Sequence, residues 1–417
     1  MKYLFILLTL ASASLNAQVD TVQKVIEGRR NSVDQQNKPY VILISADGFR
    51  YDYAEKYQAT NLLALSSGGV RAASLIPSFP SLTFPNHYTI VTGMYPAHHG
   101  IVNNYFYDPQ RKQTYGLSKK DEVEDGTWYG GIPLWVLAEK QQMLSASFYW
   151  VGSEAPIQGT FPSYYYKYNE KIEIDKRIQV VVDWLSLPAE KRPHLITFYF
   201  PEVDHDGHVY GPGAAETRDA VRTLDSSIFK LTEAVKTTGL SVNFIFVADH
   251  GMTNVDTLNT LTLPANIDTS KFIIASEGNV VSMTAKNKAD IITTYNKLKE
   301  QENNYTVYLK KTLPSTYHFS QQDDKFNRIG DIIIIPKWPK VFNLKNRKIN
   351  VGWHGYDPYL FKDMHATFFA WGPAFKKNIN IPSFQNVHIY PLITEILDLK
   401  YSHKIDGKKK VLKKILR

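Results

Sequence analysis

The 417-residue chain contains no cysteine. That absence excludes disulfides, thiolate metal ligands and a cysteine nucleophile together. Exported animal enzymes of this size commonly carry disulfides, so the composition favours a bacterial periplasmic or secreted protein. Long hydrophobic runs are also scarce. Leu4–Leu10 follows Lys2 and precedes Ala11-Ser12-Ala13-Ser14, and it is too short to span a bilayer. This pattern reads as a secretory signal peptide over residues 1–17, cleaved after Ala17 or alternatively Ala13. With no cysteine after it, a lipoprotein anchor is not expected. No other stretch approaches transmembrane length, and there are no internal repeats or low-complexity tracts.

What remains is ordinary globular material, 43% hydrophobic and 21% charged. The formal charge of +8 suits an anionic substrate and equally serves solubility. Residues 18–38 read as a polar lead-in, 39–400 as one catalytic domain, and 401–417 as a basic, solvated tail. Apolar runs at 41–46, 145–150, 195–200, 242–248 and 367–371 fit buried strands. Helical patterns such as 214–236 lie between them. This alternation predicts an α/β fold with a mostly parallel central sheet and helices on both faces. Residues 270–340 read as a small α+β excursion within that domain.

Three of these runs end in acids. Asp47 follows the first, Asp204 lies four residues after the third, and Asp249-His250 follows the fourth. In parallel sheets the ligand crevice lies beyond the carboxyl ends of the strands. Carboxylates buried there need cationic or metal partners, and with no cysteine such a site must use Asp, Glu and His. Asp204 and His208, four apart, can aim at one ion, with His205 and Asp206 as competitors. Each cluster alone is also compatible with turn or loop chemistry. Thr83 in Pro80-Ser81-Leu82-Thr83-Phe84-Pro85 reads as the N-cap of a helix, which would place its hydroxyl at an anion-binding helix end.

In this order, the segments Ile44–Arg50, Thr83–Tyr88 with Val91–Pro96, His99–Asn104, Asp204–Pro212, Asp249–Met252 and His354–Asp357 resemble the nucleotide pyrophosphatase/phosphodiesterase family. That family belongs to the alkaline phosphatase superfamily, and the bacterial stand-alone catalytic domain is the nearer type. The resemblance spans roughly residues 40–400 and implies an alkaline phosphatase-like fold. It also implies two zinc ions per chain, one on Asp204, His208 and His354, the other on Asp47, Asp249 and His250 with Thr83. Thr83 would be the nucleophile, and Asn104 would bind a phosphate oxygen. Phe84 and Tyr168 would sandwich a nucleobase, with Trp150 and Glu154 near it. His365 is the competing last ligand; the family's ligand lies in the His-Gly segment, which selects His354.

The implied activity is hydrolysis of nucleotide phosphodiester or pyrophosphate bonds through a threonine ester, releasing nucleoside 5′-monophosphates. The aromatic positions favour a diester with a base to stack, although core packing explains aromatic rings as well. None of these motifs supplies an arginine for a monoester's extra charge. Hydrolysis of another ester, such as a glycerol-type lipid phosphodiester or a phosphomonoester, is the first alternative. A non-catalytic secreted binding protein is the second. The expected partner is a small nucleotide or phosphodiester, without specific nucleic-acid binding or a membrane span.

Overall fold

The computed structural model describes residues 21–417, so the signal-peptide reading of residues 1–17 falls outside the described residues. The chain builds a nine-stranded sheet from β1 (Lys24–Val25), β2 (Tyr40–Ala46), β3 (Val70–Ala72), β4 (Ser145–Phe148), β5 (Tyr164–Tyr166), β6 (Leu195–Phe200), β7 (Val242–Val247), β8 (Phe368–Trp371) and β9 (Ile379–Ile381). The spatial order is β1-β5-β4-β6-β2-β7-β8-β3-β9. The five strands from β5 to β7 are mutually parallel. Strand β1 joins one side antiparallel, and β8 joins β7 antiparallel on the other. The sheet is therefore mixed around a parallel centre. Every residue of β7 is buried, as is all of β2 beyond Tyr40. Such continuous apolar runs belong to strands covered on both faces.

The helices include α1 (Thr83–Thr92), α2 (Ile174–Leu185), α3 (Glu202–Tyr210) and α4 (Ala215–Lys236). The expected excursion is a four-stranded antiparallel sheet in the order 272–276, 281–285, 332–336, 305–309. It carries the α-helix Asp290–Glu300 and a small core of its own around Met283, Leu298 and Ile334. The two strands at 272–285 escape a sequence reading because they are half-buried and short.

Two segments differ from their sequence reading. The polar lead-in contributes β1 to the sheet, and Asn31 is buried, donating to the Ala189 and Arg192 carbonyls. The basic end is not a solvated tail. Leu412 and Ile415 are buried, and the Arg417 N–H donates to the Ala374 carbonyl. The lysines of this segment face solvent while the apolar residues between them cover the core, the usual division along a short amphipathic turn.

Candidate metal centre

Adjacent parallel strands β6, β2 and β7 each release the chain, at their carboxyl ends, into a segment that brings an acid to the same place. Asp47 follows β2 directly, Asp249 lies two residues past β7, and Asp204 sits in the first turn of α3 after β6. Asp47 and Asp249 are fully buried, and Asp204 is partly buried. Gly48, with φ of +66°, turns the chain where α3 packs close; a Cβ there would lie 3.0 Å from the Asp204 carboxylate. Asp204 and His208 occupy one face of α3, with His208 Nε2 3.4 Å from Asp204 Oδ2. His205 is exposed and paired with Asp206, so these two point away from the cluster.

His354 reaches the same place from the far end of the chain, after the Gly352–Trp353 strand. Its Nε2 is 3.1 Å from His208 Nε2 and 3.8 Å from Asp204 Oδ1. On the other side, His250 Nε2 lies 3.0 Å from Asp249 Oδ2 and 3.4 Å from Asp47 Oδ1. His365 is elsewhere. Its Nε2 donates to the Pro358 carbonyl and its Nδ1 accepts from the Ser74 hydroxyl, which fixes it as a structural pin.

The histidine tautomers follow from their backbone partners. The Nδ1 of His208, His250 and His354 faces the carbonyl oxygen of Gly352, Gly251 and Ser81, at 2.7, 2.9 and 3.0 Å respectively. A carbonyl only accepts, so each Nδ1 carries the hydrogen and each Nε2 turns a lone pair inward. Meanwhile Asp47 Oδ1, Asp204 Oδ1 and Asp249 Oδ2 are buried without a hydrogen-bond partner. Three imidazole lone pairs and three orphaned carboxylate oxygens thus converge, the donor set that suits divalent cations without cysteine.

The electrostatics agree. Burial pushes the Asp47 carboxyl well up, and the charges of Asp249 and Asp204 push it further. Burial acts against ionisation of Asp249 too, but His250 and His87 outweigh it and hold that carboxyl well down. His354 is driven well below its ordinary value, first by burial and then by His250 and His208. It is a neutral ligand-type imidazole.

Thr83 is the first residue of α1 rather than its N-cap. Leu82 holds the cap position, and its carbonyl accepts the Asn86 N–H. The Thr83 hydroxyl is therefore not spent on capping. It lies 3.1 Å from His250 Nε2, at the positive end of the helix. Asn104 Oδ1 accepts the Phe84 N–H at 2.9 Å, which fixes the side-chain amide beside Thr83.

A cavity of about 320 Å³ opens from Thr83 and Asp204, and Phe84, Trp150, Glu154 and Tyr168 all line it. Phe84 packs edge-on against Tyr115, and Tyr168 against Tyr149 and Tyr199. Trp150 is largely a wall, its indole N–H donating to the His87 carbonyl. A second cavity, about 370 Å³, also opens from Thr83 and Asp204 and contains Asn104, His208, His354, Glu277, Arg347 and Lys348. Sequence reading missed the last three, and it missed Tyr199, whose hydroxyl donates to Asp47 Oδ2 at 2.5 Å. A tyrosine in the penultimate position of an apolar strand, just before the acidic turn, was the available signal.

The family described as type I phosphodiesterase / nucleotide pyrophosphatase matches residues 41–357. Human ectonucleotide pyrophosphatase/phosphodiesterase family member 1 is 33% identical over 376 residues, covering 87% of this chain and 40% of that protein. The venom phosphodiesterase of Naja atra is 34% identical over 374 residues, covering 86% of this chain and 44% of that one. The chain spans about two fifths of the length of these relatives. Solved murine ectonucleotide pyrophosphatase/phosphodiesterase 5 matches at a TM-score of 0.83 and 28% identity, covering 91% of this chain and 100% of that chain. An inactive threonine-to-alanine variant of the murine protein, in complex with AMP, matches with the same score.

Proposed function

Because the chain belongs to the type I phosphodiesterase / nucleotide pyrophosphatase family, we propose that it hydrolyses nucleotide phosphodiester or pyrophosphate bonds with Thr83 as nucleophile. The single observation that carries this is the Thr83 hydroxyl, free of capping at a helix N-terminus and hydrogen-bonded at 3.1 Å to His250 Nε2, amid three inward imidazole nitrogens and three orphaned carboxylate oxygens. Asp204, His208 and His354 would hold one divalent cation, and Asp47, Asp249, His250 and Thr83 the other. Zinc suits these donors, and such a pair supplies a lowered hydroxyl pKa at the nucleophile and charge stabilisation at the leaving oxygen.

The chain's own residues do the rest. Thr83 Oγ1 bonds to phosphorus as the bond to the leaving oxygen breaks, its proton passing to solvent. Asn104, oriented by the Phe84 N–H, donates to a non-bridging oxygen; one such donor is typically worth about 3 kcal/mol in the transition state. Water then cleaves the threonine ester, returns a proton to Thr83 and releases a nucleoside 5′-monophosphate. Phe84 and Tyr168 stack the base, and Trp150 and Glu154 complete the pocket. The bound AMP of the murine neighbour fits this assignment.

We also infer export to the periplasm or medium, on the residue 1–17 pattern; the relatives' names, ectonucleotide and venom enzymes, point the same way. Among the described residues no helix is long and apolar enough to cross a membrane. The test is turnover of the p-nitrophenyl ester of a nucleoside 5′-monophosphate with and without a chelator. Equal rates would end the metal-dependent reading.

A further inference from the structure

The two cavities that meet at Thr83 and Asp204 differ in character. The first presents aromatic rings and, beyond Asp47 and Asp204 of the cluster, the acids Glu154 and Glu170. The second presents Arg347 and Lys348, and through Glu277 and Arg347 it continues into a third space of about 580 Å³ that Lys345 lines. In an in-line displacement the nucleophile and the leaving oxygen lie on opposite sides of phosphorus. With the nucleoside in the aromatic cavity, the leaving group is directed into the cationic one.

We propose that Arg347 and Lys348, with Lys345 at the outer mouth, form a subsite for a phosphate carried by the leaving group. This rests on the phosphodiesterase reading and refines it. Substrates whose leaving group bears its own phosphate are favoured over those whose leaving group is an uncharged alcohol.

The loop is built to present these cations. Asn343 clamps the Arg347 backbone from both sides, accepting its N–H at 3.0 Å and donating to its carbonyl at 2.8 Å. All three basic side chains are exposed, and among the described residues none forms an ion pair. Lys340, a few residues earlier in the chain, is instead committed to Asp256 at 2.7 Å. Arginine's planar fork matches phosphate geometry, and a lysine adds a mobile point charge. One acid, Glu277, stands in the path. Burial raises its carboxyl, while Arg347, Lys345 and the Asn104 amide pull it down, so the field of these cations already reaches the spot a phosphate would occupy. Three cations against one acid leave the mouth net positive, whereas Glu154 and Glu170 repel further phosphates from the other side.

The experiment compares the metal-loaded wild type with an Arg347→Gln/Lys348→Gln variant on three substrates. ATP expels pyrophosphate, the dinucleotide pApA expels a 5′-phosphorylated nucleoside, and the p-nitrophenyl ester of AMP expels a group without phosphate. We expect kcat/KM to fall about tenfold per cation removed on ATP, pApA or both, with less than about a threefold change on the ester. Loss on ATP alone assigns the subsite to pyrophosphate; loss on pApA alone assigns it to a nucleotide chain. Equal losses on all three substrates, or none on ATP and pApA, would overturn the subsite and leave the phosphodiesterase reading standing. No turnover of the ester by the wild type would overturn that reading and the subsite with it.

Discussion

The imidazole rings of His250 and His354 stack face to face, with 3.5 Å between centroids and 13° between planes. This contact joins the two ligand groups into one cluster. It also sets their protonation. Two stacked buried imidazoles cannot both be charged, and the nearby Asp249 carboxylate draws the proton towards His250, whose pKa is raised despite burial. His354 is left neutral. A cation takes the neutral ring of His250, so metal uptake by the cluster should release protons at any pH where that ring is charged in the ion-free protein.

The nucleophile assignment makes the sharpest forecast. Thr83→Ala should lower kcat on the nitrophenyl ester by about 10³-fold or more, the scale seen when a covalent nucleophile is deleted. Thr83 is only partly buried and its hydroxyl caps nothing, so the melting temperature should hold. A variant that keeps a tenth of wild-type kcat would remove Thr83 from that role.

Cation binding should invert the sign of one stability effect. Asp47 has its carboxyl raised by burial and by its acidic neighbours, from an ordinary value of 3.8. A carboxyl raised in the fold adds stability below that ordinary value and loses it as pH rises, so at pH 7 it destabilises the ion-free protein. Asp47→Asn should therefore raise the melting temperature of chelated protein, by about 2 °C for each kcal/mol recovered. In zinc it should lower the melting temperature relative to wild type, because one ligand is gone. Calorimetry of both proteins with chelator and with zinc decides this; destabilisation in both conditions would mean the ion-free site is not strained.

Much of this centre was legible in the sequence because strand ends and short motifs are local. The Asp47, Asp204 and Asp249-His250 segments could be placed at carboxyl ends of strands from apolar runs alone. Their convergence depends on the order β6-β2-β7, which no local pattern encodes. Arg347, Lys348 and Glu277 were illegible for a further reason. Glu277 enters from a loop of the excursion and Arg347 and Lys348 from the segment that follows it, and a charged loop residue looks the same whether it faces a cavity or open water. Leu412 and Ile415 were read as solvated because lysines surround them, yet their alternation with those lysines is what lets them turn inward.

Part of the acid sensitivity should come from outside the centre. His99 is fully buried, with Nε2 donating to the Pro85 carbonyl and Nδ1 accepting the Ile101 N–H, and burial lowers its pKa to about 3. His388 accepts the Lys408 N–H, and burial, then Lys408, lower it to about 4. Both are depressed from 6.5. The stability they confer is complete above pH 6.5 and is lost as pH falls towards 4 and then 3, because the unfolded chain takes up protons first. The melting temperature should fall steadily below pH 6.5. His388→Gln, which can still accept the Lys408 N–H, should flatten that slope between pH 6.5 and 4.

The aromatic cavity predicts a substrate-dependent loss. Phe84→Ala or Tyr168→Ala should raise KM for nucleoside esters about tenfold, since base stacking is worth roughly 1–3 kcal/mol per base. Bis(p-nitrophenyl) phosphate, which has no base, should serve as the control with a change below about threefold. Equal losses on both substrates would make these rings part of the wall rather than a stacking platform.

Gly352 links packing to the centre most directly. It lies against the Gly207 carbonyl in α3, and a Cβ at this position would run into that oxygen. Its own carbonyl holds His208 Nδ1 at 2.7 Å, and its strand neighbour Trp353 leads straight into His354. Gly352→Ala must therefore push the strand away from α3, which moves the anchor of one imidazole and the origin of another while touching neither. The two glycines sit on opposite sides of a contact between backbones, so no side-chain rotation can absorb the added methyl. We expect zinc content to fall by about one ion per chain, with the Asp47–Asp249–His250 group still loaded. Metal analysis beside circular dichroism checks this; two retained ions with native kcat would show that the close approach of Gly352 and Gly207 does not position His208 and His354.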